Sequence, residues 1–228
     1  MTTVATTVTG APYDGNTEVT SIDVPVPSGA ANGHVATVCI ETWDASSVTF
    51  TPPTGFSQIG TTLVSGDGNQ RLSVFRKVLT GSDSGNYTFG ISPLHFCQGS
   101  AVLSSGIDNT TPVHGTPQTF NIGAATSYTT LTQTTTVTCD LVFFAATDSA
   151  GNNGTRTPPT SFTEDHDVNY MHTCHRDAVA AGSVSATGGS QTVSGQIQGV
   201  MVALANTGGG STDATVVLSP SQANVTIA

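Results

Sequence analysis

The sequence predicts an all-β protein, and three observations carry that prediction. Apolar and polar residues alternate with a period of two in segment after segment. Val, Thr and Ile supply strand-forming side chains, while the helix formers Leu, Glu and Lys are scarce or scattered. The segments are separated by turns rich in Gly, Asn, Asp and Ser, such as Ser65-Gly-Asp-Gly-Asn69 and Gly151-Asn-Asn-Gly154. No amphipathic helix stands out.

The elements follow in order. Ile22, Val24 and Val26 share one face of a first strand, closed by Pro27-Ser-Gly29. His34 to Trp43 is a long strand with Val38 and Ile40 inward and Thr37 and Cys39 opposite. Arg71 to Leu79 alternates, and Tyr87 to Ile91 and Phe96 to Leu103 follow. Leu141 to Ala146 is apolar on both sides, as a central buried strand would be. Tyr170 to Val179, Gln196 to Leu204, Ala214 to Leu218 and Asn224 to Ile227 complete the set.

A faint internal duplication runs through the chain. Thr51-Pro-Pro-Thr-Gly-Phe56 recurs as Thr157-Pro-Pro-Thr-Ser-Phe162. The strand carrying Arg76 corresponds to the strand carrying Arg176, and Gln98 to Leu103 corresponds to Gln198 to Ala203. The expected architecture is a single two-sheet antiparallel β-sandwich, spanning residues 1–206, whose halves bury one shared core. Residues 207–228 then form a linker and a short C-terminal strand arm. Its apolar residues Val216, Val217, Leu218, Val225 and Ile227 call for a partner, either the protein's own sheet or a neighbouring subunit.

Charge narrows the function. Five Lys and Arg against fifteen Asp and Glu give the 228-residue chain a net charge of −10. A nucleic-acid partner needs a basic face, and so does an anionic membrane, so neither is expected. No run approaches a membrane span, and the N-terminus has no basic start followed by an apolar stretch, so no secretory signal is expected. Cys39, Cys97, Cys139 and Cys174 fall in or at the start of strands and read as buried, reduced thiols; disulfides would fit a protein that works outside a cell.

Four segments together resemble a known family. They are Val24-Pro-Val-Pro-Ser-Gly-Ala-Ala-Asn-Gly-His34, Thr51-Pro-Pro-Thr-Gly-Phe-Ser-Gln-Ile59, Arg71-Leu-Ser-Val-Phe-Arg-Lys-Val78, and Ala101-Val-Leu-Ser-Ser-Gly-Ile-Asp108 with Thr111-Pro112. This pattern resembles the jelly-roll-type β-sandwich domain of tailed-bacteriophage virion proteins, over roughly residues 18 to 205. The resemblance implies a virion structural component, made in the host cytoplasm, whose partners are major capsid or tail proteins and further copies of itself. With no heptads and no long repeat array, the chain is expected on the head as a decoration protein; a minor tail or fibre protein is the alternative.

Chemistry is hard to place. Glu164-Asp-His-Asp167 with His172, Cys174 and His175 is the densest polar cluster. On a strand His172 and Cys174 share a face and His175 points the other way, but the spacing matches no zinc signature, and a polar loop beside a half-buried strand is the expected reading. No serine stands in a Gly-x-Ser-x-Gly context, and no carboxylate pair is suited to glycoside hydrolysis. No cofactor, no metal and no catalytic residue is expected. Binding of a host surface glycan is the more serious alternative, because sugar rings stack on exposed aromatics. Trp43, Tyr128 and Tyr170 are the candidate platform, set against the ordinary reading that Trp43 caps the core.

Overall fold

The computed structural model describes residues 4–6, 18–43, 47–81, 83–147, 154–168 and 170–207. All regular structure among them is β, with no helix. The first half carries β1 (Val4–Thr6), β2 (Val19–Pro25), β3 (Val35–Trp43), β4 (Thr49–Thr51), β5 (Ser57–Val64), β6 (Gln70–Val78) and β7 (Asn86–Ser104). The second carries β8 (Gln118–Ser127), β9 (Leu131–Thr135), β10 (Cys139–Thr147), β11 (Arg156–Thr157), β12 (Thr163–Val168), β13 (Met171–Val179), β14 (Gly182–Ala186) and β15 (Ser190–Ala205). The expected arm residues Val216, Val217, Leu218, Val225 and Ile227 lie outside the described residues.

The halves repeat one topology. One sheet runs β1-β7-β3-β6-β5, and the other runs β15-β10-β13-β12 with β8 on the outer edge of β15. Every pairing is antiparallel. In the first half β2 and β4 pair with the leading part of β7, which then turns into the main sheet beside β3. The second half divides that job between β14, which pairs β9, and β15. The faint sequence repeat is therefore a repeat of the whole strand set.

The two main sheets pack face to face. Val35, Cys39, Leu72, Val74 and Val102 of one meet Val142, Phe144, Met171, Val202 and Leu204 of the other in a single core. Each main sheet is covered again on its outer face. Ile22, Val24, Phe75, Phe89 and Ile91 form a second core under β2 and the front of β7. Leu131, Leu141, Phe143, Val184 and Met201 form a third under β9 and β14. The sandwich thus has four layers, and its central strands are buried on both sides: all nine residues of β3 and all nine of β10 are buried. This is why Leu141 to Ala146 carries no polar alternation, and why Thr37 and Cys39 are as deeply buried as Val38 and Ile40.

Repeated residues do equivalent work, with one exception. In both Thr-Pro-Pro-Thr turns the Phe amide donates to the second proline's carbonyl, Phe56 to Pro53 at 3.1 Å and Phe162 to Pro159 at 2.9 Å. The residue before each Phe takes positive φ, Gly55 at 91° and Ser161 at 69°. Phe56 then packs edge-on against Tyr87 and Phe89, and Phe162 edge-on against Phe143. Gln98-Gly99 and Gln198-Gly199 also correspond. A Cβ on Gly99 would lie 2.6 Å from Val24, and one on Gly199 only 2.2 Å from the Phe120 ring, so each glycine lets a neighbouring chain segment cross close to the sheet. The arginines do not correspond. Arg76, opposite Thr37, alternates in phase with Leu72 and Val74 of the shared core, whereas Arg176, opposite Leu141, is in phase with outward-facing Cys174. Both are only half-buried, which leaves their guanidinium groups within reach of solvent.

Phe75 and Ile40 are 1% and 0% exposed in the outer core of the first half. Truncating either to Ala should cost about 2–5 kcal/mol in denaturant unfolding. Losses below about half a kcal/mol at both would contradict this packing. Ser161 bears the strain that Gly55 avoids, so Ser161→Gly is expected to stabilise the fold by about 0.5–1 kcal/mol. An unchanged or lowered Tm would show that the positive φ is not strained.

Candidate functional site

The three aromatic residues expected as a glycan platform are buried. Trp43 is 9% exposed and packs its ring 4.5 Å from that of Tyr170, which is itself 8% exposed. This pair plugs the seam between the halves, since Trp43 ends β3 and Tyr170 precedes β13. Tyr128, also 8% exposed, belongs to the outer core of the second half beside Phe120 and Phe143. Rings buried in this way, tilted or stacked against neighbouring rings, present no open face to a sugar, so the platform expectation is corrected to a structural role for all three.

The polar cluster does assemble, on both faces of the β12–β13 hairpin. As alternation requires, His172 and Cys174 share the outer face and His175 points inward. The His172 Nε2 lies 3.1 Å from a Glu164 carboxylate oxygen and 3.3 Å from the Cys174 Sγ, and its Nδ1 lies 3.0 Å from the Tyr128 hydroxyl. Alongside, Asp167 receives both the Arg156 guanidinium at 2.6 Å and the Arg156 backbone N–H at 2.8 Å. On the inner side His175 Nδ1 pairs with Asp165 at 2.5 Å. Sequence reading located the histidines and Cys174. It missed Tyr128 and Arg156, which reach the cluster from 44 and 11 residues away, a proximity that only the sheet order creates.

Beside the Arg156–Asp167 ion pair, the electrostatics around His172 and Cys174 favour their neutral forms. Burial holds His172 and His166 down to about 4, so both imidazoles are uncharged near neutral pH. Burial pushes the Cys174 thiol up, and the carboxylates of Asp165 and Glu164 push it further. Burial likewise raises Tyr128 and Glu164. A nucleophilic cysteine requires the opposite, a thiolate favoured by a neighbouring positive charge. What the arrangement can do is hold elements together: it ties the turn after β8, through Tyr128, to β12 and β13. Among the described residues no group of three His, Cys, Asp or Glu side chains is disposed to hold a metal ion.

Of the two oxygen-rich turns, only 65–69 is described throughout. There Asp67 accepts from the Ser65 hydroxyl at 2.6 Å, the Asn69 backbone N–H at 3.0 Å and the Asn69 amide at 3.2 Å. These bonds, led by that from Ser65, hold its carboxyl below the usual range. The carboxylate is thus engaged in closing the turn. A pocket of about 250 Å³ opens at one edge of the seam, lined by Ile59, Leu63, Leu72, Val74 and Val200 under a rim of Thr61, Thr116 and Thr119.

Comparison of the chain with protein families, with curated proteins and with solved structures returned no match.

Two outcomes are expected from this geometry. The folded pKa of His172 lies below its unfolded value, so the unfolded chain binds more protons between about pH 6.5 and 4 and stability falls as pH drops through that window. His166 adds to the slope; His175, which burial lowers but Asp165 raises by more, opposes it. From pH 6.5 to 5 His172 alone should cost about 2 kcal/mol. Urea unfolding across this range would read it, and a slope unchanged in His172→Gln would remove His172 as its source. All four cysteines are free and buried. Thiol reagents should therefore label the protein only after denaturation, and prompt labelling of the native protein would contradict their burial.

Proposed function

We propose that the protein is a structural component of a tailed-bacteriophage particle, a decoration protein on the outer surface of the head. One observation carries this reading: the chain spends its length on a duplicated, four-layer β body in which the candidate reactive side chains are buried and held neutral. Such a body suits a passive, durable surface part. The four sequence segments that resemble virion β-sandwich domains point the same way, and the charge of −10 disfavours contact with packaged nucleic acid. A minor tail protein is the alternative position on the particle. The glycan reading has lost the three rings on which it stood.

Mass spectrometry of purified virions, with copy number, tests the proposal. Copies on the order of hundreds on heads are expected, as a lattice-bound protein requires. Recovery only in purified tails would overturn the head position, and absence from virions would overturn the proposal. The β15 strand is still anchored at Thr207, whose N–H donates to the Gly106 carbonyl at 2.7 Å. Deleting residues 208–228 should therefore leave a folded protein with weakened particle binding. An insoluble truncation would place those residues in the protein's own sheet, and normal binding would leave them without a role in attachment.

A further inference from the structure

We propose that one side of this molecule, formed by the edge strands β5 and β8 and the pocket between them, is a self-association surface that takes a second copy of the chain. Three observations meet there.

The first is charge. Fifteen acidic residues are spread through the sequence, yet none lies between Asp44 and Asp67 or between Asp108 and Asp140, and neither stretch holds a Lys or Arg. The fold brings these two charge-free stretches to the same side. β5 is the terminal strand of one main sheet and β8 lies on the outer edge of the other. They meet across the seam, where the Asn121 side-chain amide on β8 donates to the Val64 carbonyl on β5. Proteins ordinarily guard exposed strand edges with charges or proline. The edge strand β12 of the second half is charged, with Glu164 exposed and Asp165 and Asp167 turned to His175 and Arg156. The corresponding strand of the first half, Ser-Gln-Ile-Gly-Thr-Thr-Leu-Val, carries neither. Its one guard is the break in register with β6 between Ile59 and Leu63.

The second observation is apolar exposure. Among the described residues only Val64 and Leu94 are large hydrophobic side chains classed as exposed, and Val64, at 44%, ends β5. The third is the pocket. Its apolar wall continues the shared core out to the molecular edge between β5 and the start of β8, and Thr61 and Thr119 line its mouth. Apolar, uncharged surface around a cavity is the composition of an interface core.

The occupant follows from charge. A second copy also carries −10, so two copies repel over most of their surfaces and can meet closely only where both are neutral. Contact across β5 and β8 satisfies that condition twice, because an isologous dimer places the same patch on both subunits. The acidic β12 edges then lie away from the contact. Each pocket is covered by the other copy.

Sedimentation of the full-length protein from about 1 to 100 μM tests this. A monomer–dimer equilibrium is expected, tightening when added salt screens the repulsion. Thr61→Glu places a carboxylate at the pocket mouth of both copies and should weaken the dimer at least tenfold. Ala124→Glu, on exposed β8, should do the same, and serves if the first variant folds poorly. Thr163→Glu, on the acidic β12 edge, should leave association unchanged. Hydrogen exchange should show residues 57–64 and 118–127 gaining protection on dimerisation. A protein that stays monomeric at 100 μM in high salt would overturn the proposal. So would a dimer indifferent to both β5 and β8 variants, or one lost on deleting residues 208–228 while those variants leave it intact.

Discussion

The structure depends on burying two sheets on both of their faces. A single sandwich needs each strand to be apolar on one side only, but here the main sheets meet each other inside and are roofed by their own strands outside. That demand selects β3 and β10, with no exposed position, and it permits small or hydroxyl side chains where two layers come close. The Ser100 and Thr173 hydroxyls, one from each half, bond to each other across the seam at 2.8 Å. The outer cores hold the large aromatics Phe75, Phe89, Phe143 and Phe162.

The shared interface is the more polar of the three cores, and its polar groups are placed reciprocally. Gln98 accepts from the Tyr170 backbone N–H at 3.1 Å, closing the β12–β13 turn of the opposite half. Gln198, with its amide oxygen turned towards them, accepts from the Ser65 and Val64 N–H groups at 2.9 and 3.2 Å and closes the β5–β6 turn of the first. Two equivalent residues each cap the partner half's equivalent turn. This is the arrangement of a twofold dimer, with the two subunits joined in one chain. Buried backbone groups at hairpin ends need partners, and each half supplies them to the other. That requirement fixes the relative orientation of the halves more specifically than apolar contact does.

The halves depart from the twofold rule at several places. The position equivalent to Gly55 is Ser161, the β12 edge is acidic where β5 is neutral, and the polar cluster of Tyr128, Glu164, His172 and Cys174 belongs to the second half alone. The first half instead sets Lys77 between the Phe56 and Tyr87 rings, 5.9 and 5.6 Å from their centroids, and pairs it with Asp83 at 2.6 Å. Both devices pin an outer layer to a main sheet; one uses a cation over aromatic rings and the other a neutral hydrogen-bonded network.

The sequence by itself determined the all-β class, the two-sheet packing, the central strands and the repeat, because these rest on local period and on apolar runs that report burial directly. Alternation also placed His172 and Cys174 on one face and His175 on the other. It did not reveal the short β1, β4 and β11, nor β5, β8, β9, β12 and β14, whose largely polar sequences look like loops because an edge or covering strand is wet on at least one side. Nor did it decide what Trp43, Tyr128 and Tyr170 face, or that Arg76 and Arg176 fall on opposite faces. Those facts depend on the register between strands far apart in the chain. Only the stacking of four layers turned rings with local surroundings like those of exposed ones into core, and only it brought two distant charge-free stretches to one side.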